Sequence, residues 1–170
     1  MMSERVPFFS TADLYDAQPD DISVVDLQFR SFGGHDCFFG PAVTLRVGNH
    51  APVRDTVVED GRGRVLVVDV GGDLSIAVLG DRIAGKAAER GWAGVVVVGA
   101  VRDTQAISLL PIGIRALGTT ARRSLAEHPS ESGIVLTIGG AQIHPGDWVY
   151  ADYDAVLISR KELALTSSAE

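Results

Sequence analysis

Two short apolar runs constrain this chain more than anything else in it. Val65-Leu66-Val67-Val68-Asp69-Val70 and Val95-Val96-Val97-Val98 are β-branched, nearly continuous and bounded by glycines. Runs of this kind fit strands buried on both faces, as in a parallel sheet. Between them, Ile76, Val78, Leu79, Ile83, Ala84 and Ala87 recur at roughly helical spacing, with Gly91 placed as a C-cap. The pattern predicts a helix over 76–90 and a β-α-β unit with a right-handed crossover.

The flanking sequence extends the same design. Ser10 or Thr11 can cap a helix over 12–17 that ends before Pro19. Residues 23–27 read as a strand, and 29–34 as a shaped glycine loop continuing to Gly40-Pro41. A strand over 42–47 and a helix over 51–59, with Pro52 in its first turn, follow. After Asp103 a short helix to Leu109 is stopped by Pro111, and 112–117 is a third strand of the parallel set. The last third is β-rich. A hairpin turns at Gly139-Gly140, Pro145-Gly146-Asp147 is a second turn, and strands are expected at 148–151 and 155–159. A short terminal helix at 161–164 and a frayed tail beyond Ser167 complete the expectation. At 170 residues this is one α/β domain with mixed sheets, its core spanning about residues 11–159.

Charge and cysteine content narrow the function. A formal charge of −7 argues against a nucleic-acid surface, which needs clustered Lys and Arg. Arg115, Arg122 and Arg123 are the one candidate basic patch, and a solvated face is the simpler reading. The single cysteine, Cys37, allows no intramolecular disulfide and no thiolate metal site. The N-terminus lacks an apolar signal segment, and no apolar stretch is long enough to span a bilayer, so a cytoplasmic protein without membrane attachment is expected.

Gly80 to Asp103 is where chemistry can reside. If the helix proper starts near Asp81, the backbone N–H groups of Asp81, Arg82 and Ile83 have no helical acceptor. They would face an anion such as a keto acid carboxylate. A glycine-eased bend, with Asp81 merely favourable in the first turn, is the competing reading. Arg102 and Asp103 lie just past the carboxyl end of the 95–98 strand, the edge that ligands favour in α/β sheets. Arg102 offers a planar fork for a carboxylate or enolate oxygen. Asp103 offers hard oxygens suited to Mg²⁺ or Mn²⁺. The alternative is that Asp103 caps the next helix and Arg102 forms a surface ion pair. Elsewhere signals are weak. Ser10, Ser75 and Ser159 lack a G-x-S-x-G context, and the four histidines lack metal-ligand spacing. Gly71-Gly72-Asp73 reads as a plain turn, and Asp152 and Asp154 as solvated turn residues.

Taken in order, Thr11-Ala12-Asp13-Leu14, Phe32-Gly33-Gly34, Phe38-Phe39-Gly40-Pro41, the run from Gly61 to Asp69, Gly80-Asp81, Gly99-Ala100-Val101-Arg102-Asp103 and the run from Ile112 to Thr119 resemble the RraA-like family. That family holds 4-hydroxy-4-methyl-2-oxoglutarate aldolases and protein regulators of ribonuclease E activity, and once carried the name of a menaquinone methyltransferase. The likeness implies an α/β/β/α sandwich of the swivelling type, a ring-shaped homotrimer and an active site between subunits. It implies substrate binding at Gly80, Asp81, Arg82 and Ile83, catalysis by Arg102 and Asp103, and a divalent metal cation (Mg²⁺ or Mn²⁺) on Asp103. The implied reaction is retro-aldol cleavage of a keto acid to pyruvate, with oxaloacetate decarboxylation beside it. Ala106 stands where the aldolase-like pattern has an acidic residue. The other branch implies a non-catalytic partner of a ribonuclease E-like protein. A methyltransferase is disfavoured, because no acidic strand end is placed to hold a nucleoside.

Overall fold

The computed structural model describes residues 8–165. Its elements are α1 (Thr11–Ala17), β1 (Ser23–Val24), β2 (Arg30–Ser31), β3 (Phe38–Arg46), α2 (Ala51–Val57), β4 (Val65–Asp69), α3 (Asp81–Glu89), β5 (Gly94–Val101), α4 (Thr104–Ile107) and β6 (Gly113–Thr119). Then follow β7 (Glu131–Ser132), β8 (Leu136–Ile138), β9 (Ala141–Ile143), β10 (Trp148–Ala151) and β11 (Val156–Ser159). Nine strands form one mixed sheet, and β8 and β9 form a separate hairpin.

The two apolar runs are β4 and β5, central strands of a parallel set in the order β3-β4-β5-β6. Both faces of these strands are used, which is why the runs do not alternate with polar residues. Leu66, Val68, Val95 and Val97 pack toward α2, α3 and α4, with Val53, Val57, Ala84 and Ile107. Val65, Val67, Val96 and Val98 point the other way, onto Leu136, Ile143, Val149 and Ile158 of the β-rich third. The outer side of β10 and β11 then buries Tyr150 and Leu157 against Phe9 and Leu14 of the α1 region. Helix, sheet, sheet, helix is thus the order of layers. β3 carries the nine-stranded sheet from one layer to the other: Phe38–Pro41 pair antiparallel with β10, and Ala42–Arg46 pair parallel with β4.

Several elements differ from expectation. The helix predicted over 76–90 begins only at Asp81, because Gly80 is extended (φ −127°, ψ −168°) and forms the N-cap. Ala77, Val78 and Leu79 are apolar for another reason. They run beside the end of β5, bridging Ala77 to Ala100, and are buried there. The strand expected over 23–27 pairs only through Val24, and β3 starts four residues earlier than expected, at Phe38. Residues 30–31 of the glycine loop pair with β6. No helix forms at 161–164, where the Leu163 amide donates to the Tyr150 hydroxyl at 2.7 Å. The tail beyond Ser167 lies outside the described residues.

Two polar residues were misplaced by the sequence reading. Arg115 is not on a solvated face: it is 1% exposed, on β6. It donates to the Ser31 hydroxyl and to the carbonyls of Asp36, Ile114 and Asp152, between the rings of Phe38 and Tyr153. Burial lowers its pKa from the usual guanidinium range. Asp152 is not a solvated turn residue either. Its carboxylate accepts from the Thr11 amide and hydroxyl, both at 2.7 Å, and from the amides of Asp154 and Ala155.

Candidate functional site

The four parallel strands deliver their carboxyl ends to one edge. The chain leaving β3 brings His50 and α2, and the chain leaving β4 brings Gly80 and α3. Leaving β5 it brings Arg102 and Asp103, and leaving β6 it brings Arg123. These residues line a cleft of about 750 Å³. The location is the one that α/β sheets generally use for ligands, since no strand continues to fill it.

At its centre, α3 meets the Arg102–Asp103 pair. Leu79 carbonyl accepts from the Arg102 amide at 3.0 Å, and Val78 amide donates to the Ala100 carbonyl at 3.2 Å. These bonds clamp the entry to α3 alongside the end of β5. Asp103 is left-handed (φ 58°), one of two non-glycine residues so placed among the described residues. Although it occupies the N-cap position of α4, its side chain makes no capping bond there. The carboxylate turns instead to α3, where Oδ2 accepts from the Asp81 amide at 3.3 Å and lies 3.8 Å from Arg102 Nε. A carboxylate at a helix N-terminus is favoured by the orphan N–H groups and the dipole. Gly80 permits the approach, since a Cβ there would stand 2.6 Å from Asp103 Oδ2.

The backbone N–H groups at the start of α3 therefore have unequal duties. Ala84 is the first amide bonded back into the helix, to the Gly80 carbonyl at 3.0 Å. Asp81 is engaged by Asp103, while Arg82 and Ile83 precede the first helical bond and are among the residues that line the cleft. The structure brings Gly80, Asp81, Arg82, Ile83, Arg102 and Asp103 together in this one cleft. Of the alternatives, the capping role does not appear, since the Asp103 side chain makes no bond to α4, whereas Gly80 does cap α3 with Asp81 in its first turn and Arg102 does form a part-exposed ion pair.

The sequence reading missed His50, Arg54, Lys86 and Arg123, which line the same cleft. His50 Nδ1 is buried, with the Ser124 backbone as its polar neighbour. Burial, then Arg123, Arg54 and Arg102, push the His50 imidazole below its ordinary pKa. The available signal was topological. Each of these residues follows a parallel strand or lies on the helix after it, and only the segments after β4 and β5 were read that way. Gly71 and Gly72, by contrast, form a plain turn at φ 68° and 76°.

Among the described residues, no group of three or more His, Cys, Asp or Glu is arranged to hold a metal. A cation caged wholly by side chains does not fit this site. A hard cation that keeps most of its water and uses one carboxylate plus substrate oxygens does fit. Asp103 is the residue that would hold it, since its observed contacts run through Oδ2.

The family model described as RraA-like, Aldolase/RraA, matches residues 11–158. A Laribacter hongkongensis protein named "Putative 4-hydroxy-4-methyl-2-oxoglutarate aldolase" is 44% identical over 152 residues, covering 89% of this chain and 96% of the relative. The solved structure of the RNA-processing inhibitor RraA from Thermus thermophilis superposes with a TM-score of 0.87 at 40% identity, covering 93% of this chain and 96% of that one. A Geobacillus kaustophilus structure named as an S-adenosylmethionine: 2-dimethylmenaquinone methyltransferase gives the same TM-score, 0.87, at 41% identity, covering 91% and 96%. Sequence, fold and the order of the motifs agree: the chain belongs to the RraA-like family.

Proposed function

We propose that the protein is a divalent-metal-dependent lyase that cleaves 4-hydroxy-4-methyl-2-oxoglutarate-type keto acids to pyruvate and also decarboxylates oxaloacetate. The observation that carries this reading is the convergence of Arg102, Asp103 and the first amides of α3 in one cleft. The relatives named as aldolases support it.

The chemistry follows from the groups present. The keto acid carboxylate is received by the Arg82 and Ile83 amides, where the helix dipole favours an anion. Arg102 faces the keto oxygen. In cleavage, the C3–C4 bond breaks and its electron pair moves to that oxygen, giving a pyruvate enolate. The C4 hydroxyl loses its proton and becomes the carbonyl of the second product, and C3 then takes up a proton. Arg102 stabilises the enolate charge as it develops. Loss of CO₂ from oxaloacetate produces the same enolate, so one site serves both reactions. A Mg²⁺ or Mn²⁺ held by Asp103 would supply Lewis-acid polarisation of the keto acid oxygens.

Pyruvate release from oxaloacetate and from 4-hydroxy-2-oxo acids, coupled to a pyruvate-specific dehydrogenase, tests the proposal. Arg102→Ala should lower kcat by roughly 10²–10³ and weaken substrate binding. Activity unaffected by Arg102→Ala would remove the proposed site.

A second reading rests on Ala106, in place of an acidic residue, and on the likeness to the RNA-processing inhibitor. In it the protein binds a ribonuclease E-like partner and turns nothing over. Absence of pyruvate release from every keto acid tested, with and without Mg²⁺, would favour it.

A further inference from the structure

Aldol cleavage removes a proton from a hydroxyl, and none of the groups assigned so far takes it. Apart from arginines and a lysine, the titratable residues lining the cleft are Asp81, Asp103 and His50. Asp103 Oδ2 is already engaged by the Asp81 amide and by Arg102. Asp81 stands in the first turn of α3, where the helix dipole favours the charged carboxylate and so makes it a weak base. His50 arrives from another side, at the start of α2. β3 and β5 flank β4, so the chain that brings His50 and the chain that brings Arg102 are roughly 10 Å apart at the sheet edge. A small keto acid fits between two side chains so placed.

The segment that carries the imidazole is fastened. Asn49 Oδ1 accepts from the Ala51 amide at 3.0 Å, and Asn49 Nδ2 donates to the Ala126 carbonyl at 2.8 Å. The turn into α2 is thus tied to the chain that follows β6, and that chain puts Ser124 beside the ring. Nδ1 is the buried nitrogen, with the Ser124 backbone as its polar neighbour. The contact favours the protonated ring, as a carbonyl acceptor does and an N–H donor does not. The proton of the neutral ring therefore sits on Nδ1, and Nε2 keeps its lone pair for the cleft. Burial and the charges of Arg123, Arg54 and Arg102 outweigh that contact and hold the pKa below the ordinary histidine value. Asp81, Arg82, Lys86 and Asp103 complete the charged lining. A lowered pKa widens the pH range over which Nε2 can accept a proton.

We propose that His50, through Nε2, is the general base of the aldol cleavage and takes the proton of the substrate's C4 hydroxyl. The assignment rests on the lyase reading for the substrate and its orientation. As Nε2 takes the proton, the O–H electron pair forms the new carbonyl, the C3–C4 bond breaks, and its pair moves through C2 to the keto oxygen. The imidazolium then returns the proton to C3 of the enolate, so no proton is gained or lost overall. The ring is cationic only while the enolate charge exists, which is when a second positive group beside Arg102 is useful. Loss of CO₂ from oxaloacetate has no hydroxyl proton to remove. His50 therefore separates two reactions that share one enolate.

The test compares the two reactions. Pyruvate release from 4-hydroxy-4-methyl-2-oxoglutarate and from oxaloacetate is measured in Mg²⁺ buffer, each above the enzyme-free rate, for wild type and His50→Asn. Asparagine keeps an N–H donor for the Ser124 backbone but cannot accept the proton. His50→Asn should lower the ratio of aldol cleavage to decarboxylation by roughly 10²-fold or more. In wild type, kcat/KM for cleavage should rise with pH through a step below the ordinary histidine value, since the base acts unprotonated, and decarboxylation should lack that step. This profile stands independently of how well the variant folds. An equal loss of both reactions, a ratio that His50→Asn leaves unchanged, or a cleavage profile without the step would overturn the base and leave the lyase reading standing. Wild type that releases pyruvate from neither acid would refute the lyase reading and the base with it.

Discussion

Gly80 and Asp103 depend on each other. The glycine is needed for what lies beside it, because its backbone conformation is open to any residue. A Cβ at that position would meet the Asp103 carboxylate at 2.6 Å. Gly80→Ala should therefore displace Asp103 from the Asp81 amide without straining the helix start. Turnover should fall by about 10-fold or more, since small misplacements at a reacting centre are costly. Thermal melting should move by only a few degrees. A large loss of stability, with activity per folded molecule intact, would show that Gly80 serves packing alone. At this scale the sequence was informative where residue type dictates chemistry. Arg102 and Asp103 stood out because a guanidinium and a carboxylate follow a buried strand directly. Arg115 misled because its charge suggests solvent, whereas its environment is three carbonyls, a hydroxyl and two aromatic faces. A single sequence carries no sign of partners more than 70 residues away.

At the level of elements, β4 and β5 were legible because continuous apolar β-branched runs have few other uses. The hairpin β8–β9 was legible from Gly139-Gly140, both at positive φ (52° and 78°) as a tight primed turn requires. The start of α3 was not. Ile76, Val78 and Leu79 continue the helical spacing by coincidence, since a short extended segment beside β5 also buries apolar side chains. The α1 region shows how remote residues set local structure. Ser10 caps the helix through a bond from the Asp13 amide, yet the Thr11 amide and hydroxyl are both held by Asp152, 141 residues later. Asp152→Ala should therefore destabilise the protein by roughly 1–3 kcal/mol through the lost carboxylate bonds. Chemical denaturation would measure it. Pyruvate release at temperatures well below the melt should be unchanged, because Asp152 does not line the cleft.

For the whole molecule, the layered arrangement follows from the patterning: two-faced parallel strands need cover on both sides, and helices and a β-rich third supply it. No helix among the described residues is long and apolar enough to cross a membrane. Assembly is a separate matter, which no single-chain pattern dictates. Leu109 is 84% exposed and borders a shallow hollow lined by Asp81 and Asp103. A homotrimer that places a neighbouring subunit over this side of the cleft is our expectation. Light scattering should give about three chains per particle, and a monomer at micromolar concentration would contradict it. The central claim is that Asp103 and a divalent cation together enable keto acid cleavage in this cleft. It is tested most directly by oxaloacetate decarboxylation, measured for wild type and Asp103→Asn in EDTA and again after adding Mg²⁺. The account predicts that EDTA silences the wild type and Mg²⁺ restores it, while Asp103→Asn stays silent in both. Pyruvate release that persists through both EDTA and Asp103→Asn would contradict it.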